Sequence, residues 1–387
     1  MFDFDQPVNR NGTGNMKGSF QPENACGKAP LIFAGAEMDF PTAPVIRAAL
    51  SKFAENGIYG FTLPDETYLN AVCFWLKAYR GWDVSPDWIV PTLGTVYALS
   101  TAVRAFTSPG DGVIVLFPSY YRHDRAVLRN GRRVVPCKLK ESEGRYTLNA
   151  DALAETMRSP ENKLLVLCHP HNPTGHVFTE AELQTLAGLA RETGTIVFSD
   201  EIFADITAPG HPALPFSTFL PEQTVACVSL GKTFNFTGVN QANAVIHDAA
   251  LRERYLTQRN ADHFGSVDPF FYQAVEAGCT EAGRAWVTAV RDQVMRNAQR
   301  LETLLKASCP GVRMSPWEGG YIAWLDVSAA GLTGDEAAER LEKEQAVLVD
   351  PGSEYGAGGE RFIRLNLATQ AKNMDEFAAR LSEIIRS

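Results

Sequence analysis

Short apolar runs alternate with longer amphipathic stretches through the middle of this chain. The runs that predict buried strands are Val113–Phe117, Arg133–Cys137, Lys163–Cys168, Thr195–Ser199, Thr224–Ser229 and Ala242–His247. Between them, apolar residues three or four positions apart predict helices, as at Val96, Leu99, Val103 and Phe106 and over residues 180–193. Strands that alternate with helices favour an α/β fold whose mainly parallel sheet is covered on both faces.

The two ends of the chain have a different pattern. Residues 1–30 are polar and rich in Gly and Asn, which predicts an extended arm; helices are expected over 42–55, 66–75 and much of 250–308. Strands at Tyr321–Val327 and Arg361–Asn366 predict a smaller α+β domain. A chain of 387 residues is too long for one simple core. The predicted division is an arm with part of the small domain (1–45), a large domain (46–280) and a C-terminal small domain (281–387).

Composition excludes several classes of protein. A charged content of 21% and a hydrophobic content of 45% are ordinary for a soluble globular protein. The net charge of −9 and the lack of a Lys/Arg run argue against a nucleic-acid binder. No apolar stretch is long enough for a membrane span, and the N-terminus lacks the pattern of a signal peptide. The seven scattered cysteines form no CxxC pair, so reduced thiols and a cytoplasmic location are expected.

Polar motifs follow three of the predicted strands. They are His-Asn-Pro-Thr-Gly at 171–175, Ser-Asp-Glu at 199–201 and Ser-Leu-Gly-Lys-Thr-Phe-Asn at 229–235. Asn172, Asp200 and Lys232 are thus separated by 28 and 32 residues, which suits successive strand ends of a parallel sheet, where such folds bind ligands. A carboxylate that holds a pyridinium nitrogen and a lysine that forms a Schiff base are what pyridoxal phosphate requires of a protein.

This ordered set resembles the fold-type I pyridoxal-phosphate enzymes of the class I/II aminotransferase family, and within it the MalY/PatB group of cystathionine β-lyase-like C–S lyases. The matching stretches are Met1–Phe4, Met38–Phe40, Tyr59–Thr62, Asn172–Gly175, Ser199–Ile202, Lys232–Asn235 and Arg364–Asn366. The resemblance covers nearly the whole chain. It implies the aspartate aminotransferase fold, pyridoxal 5′-phosphate as cofactor, an amino-acid substrate and a homodimer with the active site at the subunit interface.

The resemblance assigns roles to the three polar residues. Lys232 would form the Schiff base, Asp200 would bind the protonated ring nitrogen, and Asn172 would donate to the ring 3′ oxygen. Taken from the residues alone, each has a plainer interpretation: a surface lysine, a helix N-cap and an Asn-Pro turn.

Further residues complete the predicted site. Gly94, Thr95 and Val96 open a helix whose free N–H groups suit the cofactor phosphate, and Ser229 would add a hydroxyl. Arg364, in the run Phe-Ile-Arg-Leu-Asn, would grip the substrate α-carboxylate bidentately, although a structural ion pair is the alternative.

Aromatic and histidine residues near these motifs are less specific. By resemblance, Tyr120 would stack on the cofactor ring, and a shift of one residue would give this role to Tyr121. Tyr59 is a predicted substrate-binding residue together with Asn172 and Arg364. His169 and His171 form an H-x-H pair, but no further ligands cluster with them, so a structural role is favoured and no metal is predicted.

The chain departs from both enzyme groups. Asn240 stands eight residues after Lys232. Many aminotransferases have a phosphate-binding Arg at this position, whereas the lyases, like this chain, do not. Phe61 and Phe203 replace a Tyr and a His of the lyases, Gly231 replaces a Ser, and residues 16–19 lack their Trp-Asp pair. Phe61 supplies no hydroxyl, and Tyr59 could replace the one that the lyase Tyr carries only if this strand or loop shifts in register. These changes predict an intact cofactor framework and an altered substrate entrance.

The leading hypothesis is a C–S β-lyase that converts a cysteine-thioether-type L-amino acid to a thiol, pyruvate and ammonia. The runner-up is an aminotransferase that exchanges an amino group between an amino acid and a 2-oxo acid. A third hypothesis is a regulatory protein that binds the cofactor and turns over little, which Phe61 and Phe203 favour.

Overall fold

The computed structural model describes residues 2–10, 12–20 and 27–386. The helices are α1 (Met16–Ser19), α2 (Pro44–Asn56), α3 (Glu66–Arg80), α4 (Gly94–Phe106), α5 (Tyr121–Arg129), α6 (Ala150–Met157), α7 (Glu180–Thr193), α8 (Leu230–Thr233), α9 (Ala249–Ala261), α10 (Pro269–Gly278), α11 (Glu281–Ser308), α12 (Gly334–Gln345) and α13 (Ala371–Arg386). The strands are β1 (Leu31–Ile32), β2 (Ile89–Thr92), β3 (Gly112–Phe117), β4 (Arg133–Lys138), β5 (Lys140–Ser142), β6 (Arg145–Thr147), β7 (Asn162–Cys168), β8 (Ile196–Asp200), β9 (Thr224–Val228), β10 (Ala242–Val245), β11 (Arg313–Met314), β12 (Ile322–Asp326), β13 (Val347–Leu348), β14 (Asp350–Pro351) and β15 (Phe362–Asn366).

A seven-stranded sheet with the order β2-β10-β9-β8-β7-β3-β4 forms the centre of the molecule. Strand β10 runs antiparallel to both of its neighbours, and the remaining pairs are parallel. Because β10 reverses direction between β2 and β9, those two strands point the same way. The carboxyl ends of β2, β9, β8, β7, β3 and β4 therefore lie at one edge of the sheet, and the predicted α/β class is confirmed.

Both faces of this sheet are buried, as the continuous apolar runs predict. Along β3, Val113 and Val115 belong to the core cluster that contains Leu99 of α4. Ile114, on the other face of β3, packs in the cluster that contains Leu183 of α7. Helices thus cover the sheet on two sides, and only its edges and strand ends remain for polar chemistry.

Local sequence signals define the covering helices. Helix α7 begins with a capping box, in which the Thr179 hydroxyl accepts from the Glu182 amide while Glu182 accepts from the Thr179 amide. It ends at Gly194, whose φ of 69° is the left-handed conformation that glycine adopts without strain. The helix expected over 66–75 continues to Arg80, because Lys77 and Arg80 suit a last helical turn and Gly81 provides the C-cap.

A four-stranded antiparallel sheet of order β11-β12-β15-β14 forms a second layer, as the smaller α+β domain predicts. Strand β1, near the N-terminus, pairs in parallel with β13. These two strands form a sheet of their own, and the Asn366 amide at the end of β15 donates to the Phe33 carbonyl, which attaches the N-terminal segment to the four-stranded sheet. The proposed boundaries at residues 45 and 280 stay predictions.

The predicted arm is only partly described, and Met1 and Cys26 lie outside the described residues. Within it, Met16–Ser19 forms a single helical turn that the sequence does not predict, with the Asn15 side chain accepting from the Gly18 amide. Across the described part of the chain, no helix has both the length and the apolar character needed to cross a bilayer.

Candidate active site

Four neighbouring strands bring the predicted residues to one edge of the central sheet. Lys232 follows β9, Asp200 ends β8, Asn172 follows β7 and Tyr120 follows β3. These strands are adjacent in the order β9-β8-β7-β3, and neighbouring strands lie about 4.8 Å apart. These four residues, which are far apart in the sequence, therefore lie close together in the structure.

Lys232 lies in the short helix α8 and contacts groups from two other segments. Its Nζ donates to the Ala36 carbonyl, which also accepts from the Tyr321 hydroxyl at 3.1 Å. Burial, assisted by the positive charge of Arg364, lowers the pKa of Lys232 to about 8. An amine with this pKa is partly neutral near physiological pH, so it can act as a nucleophile and as a base.

Asp200 is buried, with 2% of its surface exposed, and His123 is its partner. Asp200 Oδ2 lies 3.0 Å from His123 Nε2, while His123 Nδ1 lies 3.4 Å from the Ser119 hydroxyl. The Ile202 amide donates to the other carboxylate oxygen at 3.3 Å. Sequence reasoning missed His123, although its position three residues after Tyr120 at a helix start could have indicated it.

Arg364 lies on β15 of the four-stranded sheet and also contacts the loop that follows β7 of the central sheet. Its Nη1 donates to Asn172 Oδ1 at 2.9 Å, and its Nε and Nη2 donate to Asp350 Oδ2. The guanidinium also lies 4.9 Å from the centre of the Tyr355 ring. Only 3% of Arg364 is exposed, so an anion that reaches it meets a desolvated, oriented charge. The predicted alternative of an ion pair is present, since Asp350 binds one edge of the guanidinium, and the carboxylate-binding role stays a prediction.

Asp350 was also missed from the sequence. It faces Arg364 across the β14–β15 ladder, and both of its oxygens accept from the Gly35 amide at 3.1–3.2 Å. No motif identifies this residue, because its role follows from a strand pairing that the sequence pattern does not predict.

Tyr120 lies beside the Asp200–His123 pair. Its ring contacts those of Tyr121 and His123 at 5.0 and 5.4 Å. Burial raises the pKa of Tyr120 to about 12, so it presents a neutral phenol. Tyr121 instead has the guanidinium of Arg125 4.6 Å from its ring centre. The contact with His123 favours Tyr120 over Tyr121 for the stacking role, which stays a prediction.

The start of helix α4 has the features of an anion site. The helix begins at Gly94, which has a φ of 70°, and Leu93 before it provides no side-chain cap. The amides of Gly94, Thr95 and Val96 are therefore left at the positive end of a helix of 13 residues. Asn240 lies next to this turn, 3.9 Å from the position of a Cβ on Gly94.

Ser229 and Tyr59 have contacts other than those expected. The Ser229 hydroxyl donates to the Gln241 carbonyl at 2.9 Å and accepts from the Gly231 amide, so it caps α8. The Tyr59 hydroxyl donates to the Ala54 carbonyl at 2.8 Å. Within the described chain, no hydrogen bond or ring contact joins Tyr59 to the other predicted site residues. Both roles stay predictions, that of Tyr59 for a site shared between subunits.

Phe203 is placed differently from the expectation of an altered substrate entrance. It is 3% exposed, its ring packs against Tyr321 at 5.1 Å, and Lys232 Nζ lies 5.9 Å from its ring centre. The residue is therefore part of the buried wall beside Lys232, because the turn after Asp200 directs it into the core. An apolar wall there helps to desolvate the amine.

The H-x-H pair is buried beside Phe178. Burial lowers the pKa of both His169 and His171 to about 3, so both rings are neutral. A different trio, His123, Cys168 and Asp200, has ligand atoms within 4.8 Å of one another. Cys168 Sγ donates to the Pro170 carbonyl, and burial raises the pKa of Cys168 well above its usual value, which keeps it a thiol rather than a metal-binding thiolate.

Residues 35–40 form one wall of the site and are held from several sides. The side chain of Asn235, which has a φ of 54°, donates to the carbonyls of Met38 and Phe40 at 3.0 and 2.7 Å. Asn366 donates to the Glu37 carbonyl, and the buried Lys17 forms an ion pair with Asp39 at 2.7 Å. This network fixes the Ala36 carbonyl that accepts from Lys232.

Comparison with known proteins accounts for this geometry. The model of the family "Aminotransferase class I and II" matches residues 31–381. The chain belongs to this family. The family's members are enzymes, so the resemblance predicted from the sequence is confirmed, as is the prediction of an enzyme.

Individual members of the family match over the whole length. The cystathionine beta-lyase PatB of Bacillus subtilis is 34% identical and covers 98% of this chain and 100% of its own. The structure of cystalysin from Treponema denticola, which contains a pyridoxal 5′-phosphate cofactor, has a TM-score of 0.94 at 29% identity and covers 100% and 99% of the two chains. A pyridoxal-phosphate-bound C–S lyase from Staphylococcus hominis gives 0.90 at 26% identity, with 99% of each chain covered. The predicted aspartate aminotransferase-type fold is thus confirmed.

Proposed function

We propose that this protein is a pyridoxal-phosphate-dependent C–S β-lyase. With one water molecule, it would convert a cysteine-thioether-type L-amino acid to a thiol, pyruvate and ammonia. The observation that carries the proposal is the convergence of Lys232, the Asp200–His123 pair and Arg364 at one edge of the sheet. Similarity to PatB over 98% of the chain favours the lyase branch.

The residues at this edge fit the cofactor. A buried carboxylate, Asp200, suits a protonated ring nitrogen, and the uncapped start of α4 suits a phosphate. Lys232 supplies an amine of lowered pKa for the aldehyde. Since Asn172 Oδ1 accepts from Arg364, its amide nitrogen is the group left to donate to a ring oxygen. When bound, pyridoxal phosphate withdraws electrons from the substrate Cα and makes the α-proton acidic.

The chain's own residues would then perform three tasks. Arg364 binds the α-carboxylate and thereby fixes which bond at Cα faces the electron-withdrawing ring. Lys232, as a neutral amine, takes the proton from Cα. The electrons of the Cα–H bond form a second bond between Cα and Cβ as the Cβ–S bond breaks, and the thiolate leaves with the electrons of that bond. Water then hydrolyses the released 2-aminoacrylate to pyruvate and ammonia. Asp200 keeps the ring-nitrogen proton in place, and His123 orients Asp200.

The competing activity is that of an aminotransferase, the activity for which the family is named. The two reactions share proton removal from Cα and differ in the next step. The test is pyruvate release from L-cystathionine by the purified holoenzyme without an added 2-oxo acid. Steady release supports the lyase; one stoichiometric turnover that resumes only with a 2-oxo acid shows an aminotransferase. Cofactor binding without turnover of any amino acid would support the regulatory protein instead.

We also propose that the protein is a cytoplasmic homodimer. Three apolar side chains of one loop are highly exposed: Ile58 at 71%, Phe61 at 103% and Leu63 at 68%. A second copy of the chain that covers them would remove this apolar surface from water. Sedimentation equilibrium should give a dimer that Phe61→Asp weakens and that the control Leu128→Asp, at another exposed leucine, leaves intact. A monomeric wild-type protein at micromolar concentration would contradict the proposal.

A further inference from the structure

Two arginines lie beside the aromatic residues of the site. Arg122 and Arg125 are exposed, and no carboxylate of the described residues lies within 4.0 Å of their side-chain nitrogens. Their guanidinium carbons lie 5.8 and 4.6 Å from the centre of the Tyr121 ring, and Arg122 Nε donates to the Tyr121 hydroxyl at 3.4 Å. Both guanidinium groups therefore lie close to the same tyrosine ring.

The two arginines repel each other on the surface of α5. They are three residues apart, which places them on one face of the helix, where like charges are unfavourable. Asp124, between them in sequence, is half-buried with one oxygen that has no hydrogen-bond partner among the described atoms. The positive charge of Arg125 acts to lower the pKa of Glu354, although burial raises that pKa overall. Arg122 is left as the less compensated charge.

Arg122 is also close to the proposed chemistry. It follows Tyr120 and Tyr121 directly and precedes His123, whose ring lies 3.0 Å from Asp200 Oδ2. Its charge also acts to lower the pKa values of Tyr120 and Lys232. The α-carboxylate of a bound substrate would lie at Arg364. An anionic group at the other end of the substrate would therefore be attracted by the charge of Arg122.

We propose that Arg122, supported by Arg125, forms a subsite for an anionic group on the sulfur substituent of the substrate. The inference rests on the proposed lyase function. It names the substrate class as L-cysteine thioethers whose leaving thiol carries a carboxylate. A guanidinium recognises a carboxylate through two parallel hydrogen bonds, which a lysine at this position would not reproduce.

The test compares two substrates of nearly equal shape and different charge: S-carboxymethyl-L-cysteine and its neutral amide, S-carbamoylmethyl-L-cysteine. For each, kcat/KM for pyruvate release is measured with wild type, Arg122→Gln, Arg122→Lys and the control Arg129→Gln. Arg129 is an exposed arginine on the same helix, two turns farther along. Each variant's acid-to-amide ratio of kcat/KM is compared with that of wild type, so the difference in reactivity between the two leaving groups cancels.

We expect Arg122→Gln to lower the acid-to-amide ratio of kcat/KM about fivefold, as suits an exposed ion pair. Arg122→Lys should recover part of the loss, and Arg129→Gln should keep the wild-type ratio. Salt at about 0.5 M should lower the wild-type ratio toward that of Arg122→Gln. An equal loss for both substrates, which leaves the ratio unchanged, would show that Arg122 only supports Tyr120 and Tyr121 and would overturn the subsite. Wild-type kinetics with both substrates in Arg122→Gln would overturn it as well.

A second readout separates this inference from the proposed function. Calorimetric titration gives the dissociation constants of both compounds, with the holoenzyme itself if it releases no pyruvate and in a cofactor-loaded Lys232→Ala background if it does. If wild type releases no pyruvate but still prefers the acid, and Arg122→Gln loses that preference, the subsite stands and the lyase proposal fails. If pyruvate is released while neither kcat/KM nor binding depends on Arg122, the lyase stands and the subsite fails.

Discussion

Asp350 binds the edge of Arg364 that faces away from Asn172. Its Oδ2 accepts from Nε at 3.0 Å and from Nη2 at 2.5 Å, and Asn172 takes a hydrogen from Nη1 at 2.9 Å. Burial alone would lower the pKa of Arg364, but the charge of Asp350 raises it, so the guanidinium stays protonated. The plane of the guanidinium is therefore fixed before a substrate arrives.

From this arrangement we expect Asp350→Asn to raise the KM for a cysteine thioether about tenfold with a smaller change in kcat. A charge-assisted hydrogen bond is worth roughly 1.5–3 kcal/mol, and about 1.4 kcal/mol corresponds to a factor of ten. Steady-state kinetics measure the effect. Asp375→Asn, which breaks an exposed ion pair with Arg300, is the control and should leave both constants unchanged. A lower KM in Asp350→Asn would show that repulsion of the substrate carboxylate outweighs positioning.

The lowered pKa of Lys232 predicts how cofactor capture depends on pH. Only the neutral amine attacks the aldehyde, so the rate at which cofactor-free protein binds pyridoxal phosphate covalently should rise with pH and level off above about 8. Stopped-flow absorbance measures this rate, and Lys232→Ala should show no covalent phase. A rate that keeps rising to pH 10, as for an ordinary lysine, would contradict the assigned environment.

His123 should affect the cofactor through Asp200. Replacing it by Phe removes the 3.0 Å contact with Oδ2 and leaves the buried carboxylate less well satisfied. We expect the dissociation constant of pyridoxal phosphate to rise about tenfold in His123→Phe, measured by equilibrium dialysis. The exposed His263→Phe provides the comparison. Equal affinities in the two variants would mean that Asp200 needs no partner.

His176 links the loop after β7 to the segment before β12. Although burial opposes protonation, hydrogen bonds to Glu182 and Glu318 at 3.3 and 2.8 Å raise the pKa of His176 to about 9. A raised folded-state pKa stabilises the protein fully below the unfolded value near 6.5, and this contribution is lost as pH rises through about 9.

The unfolding free energy of wild type minus that of His176→Gln should therefore fall between pH 6 and pH 9.5, by about 3 kcal/mol. Urea unfolding at the two pH values measures the difference. A constant difference across this range would mean that His176 is neutral in the folded protein.

Much of the site was predictable because its chemistry follows strand ends. The apolar runs before Asp200 and Lys232 identify buried parallel strands, and the sheet order then places the two residues side by side. The uncapped glycine turn at Gly94 was also visible in the sequence.

What the sequence could not predict depends on contacts between distant segments. Asp350 reaches Arg364 through a two-residue strand, too short to give a pattern. Phe203 looked like an entrance residue because the direction of a turn after a strand is set by packing, here against Tyr321. The hydroxyl of Ser229, whose contact with the cofactor phosphate stays a prediction, also caps the helix that carries Lys232, and no sequence motif indicates that cap.

The Ala36 carbonyl that accepts from Lys232 has a consequence for how the protein is made. Its segment is held by Asn235 and Asn366 and, through the amide of Gly35, by Asp350. A ribosome must therefore deliver nearly the whole chain before this wall can close around the amine. When Lys232 leaves the exit tunnel of the ribosome, Asp350, Arg364 and Asn366 have not yet been released. Tight binding of the cofactor is therefore expected only for the finished chain.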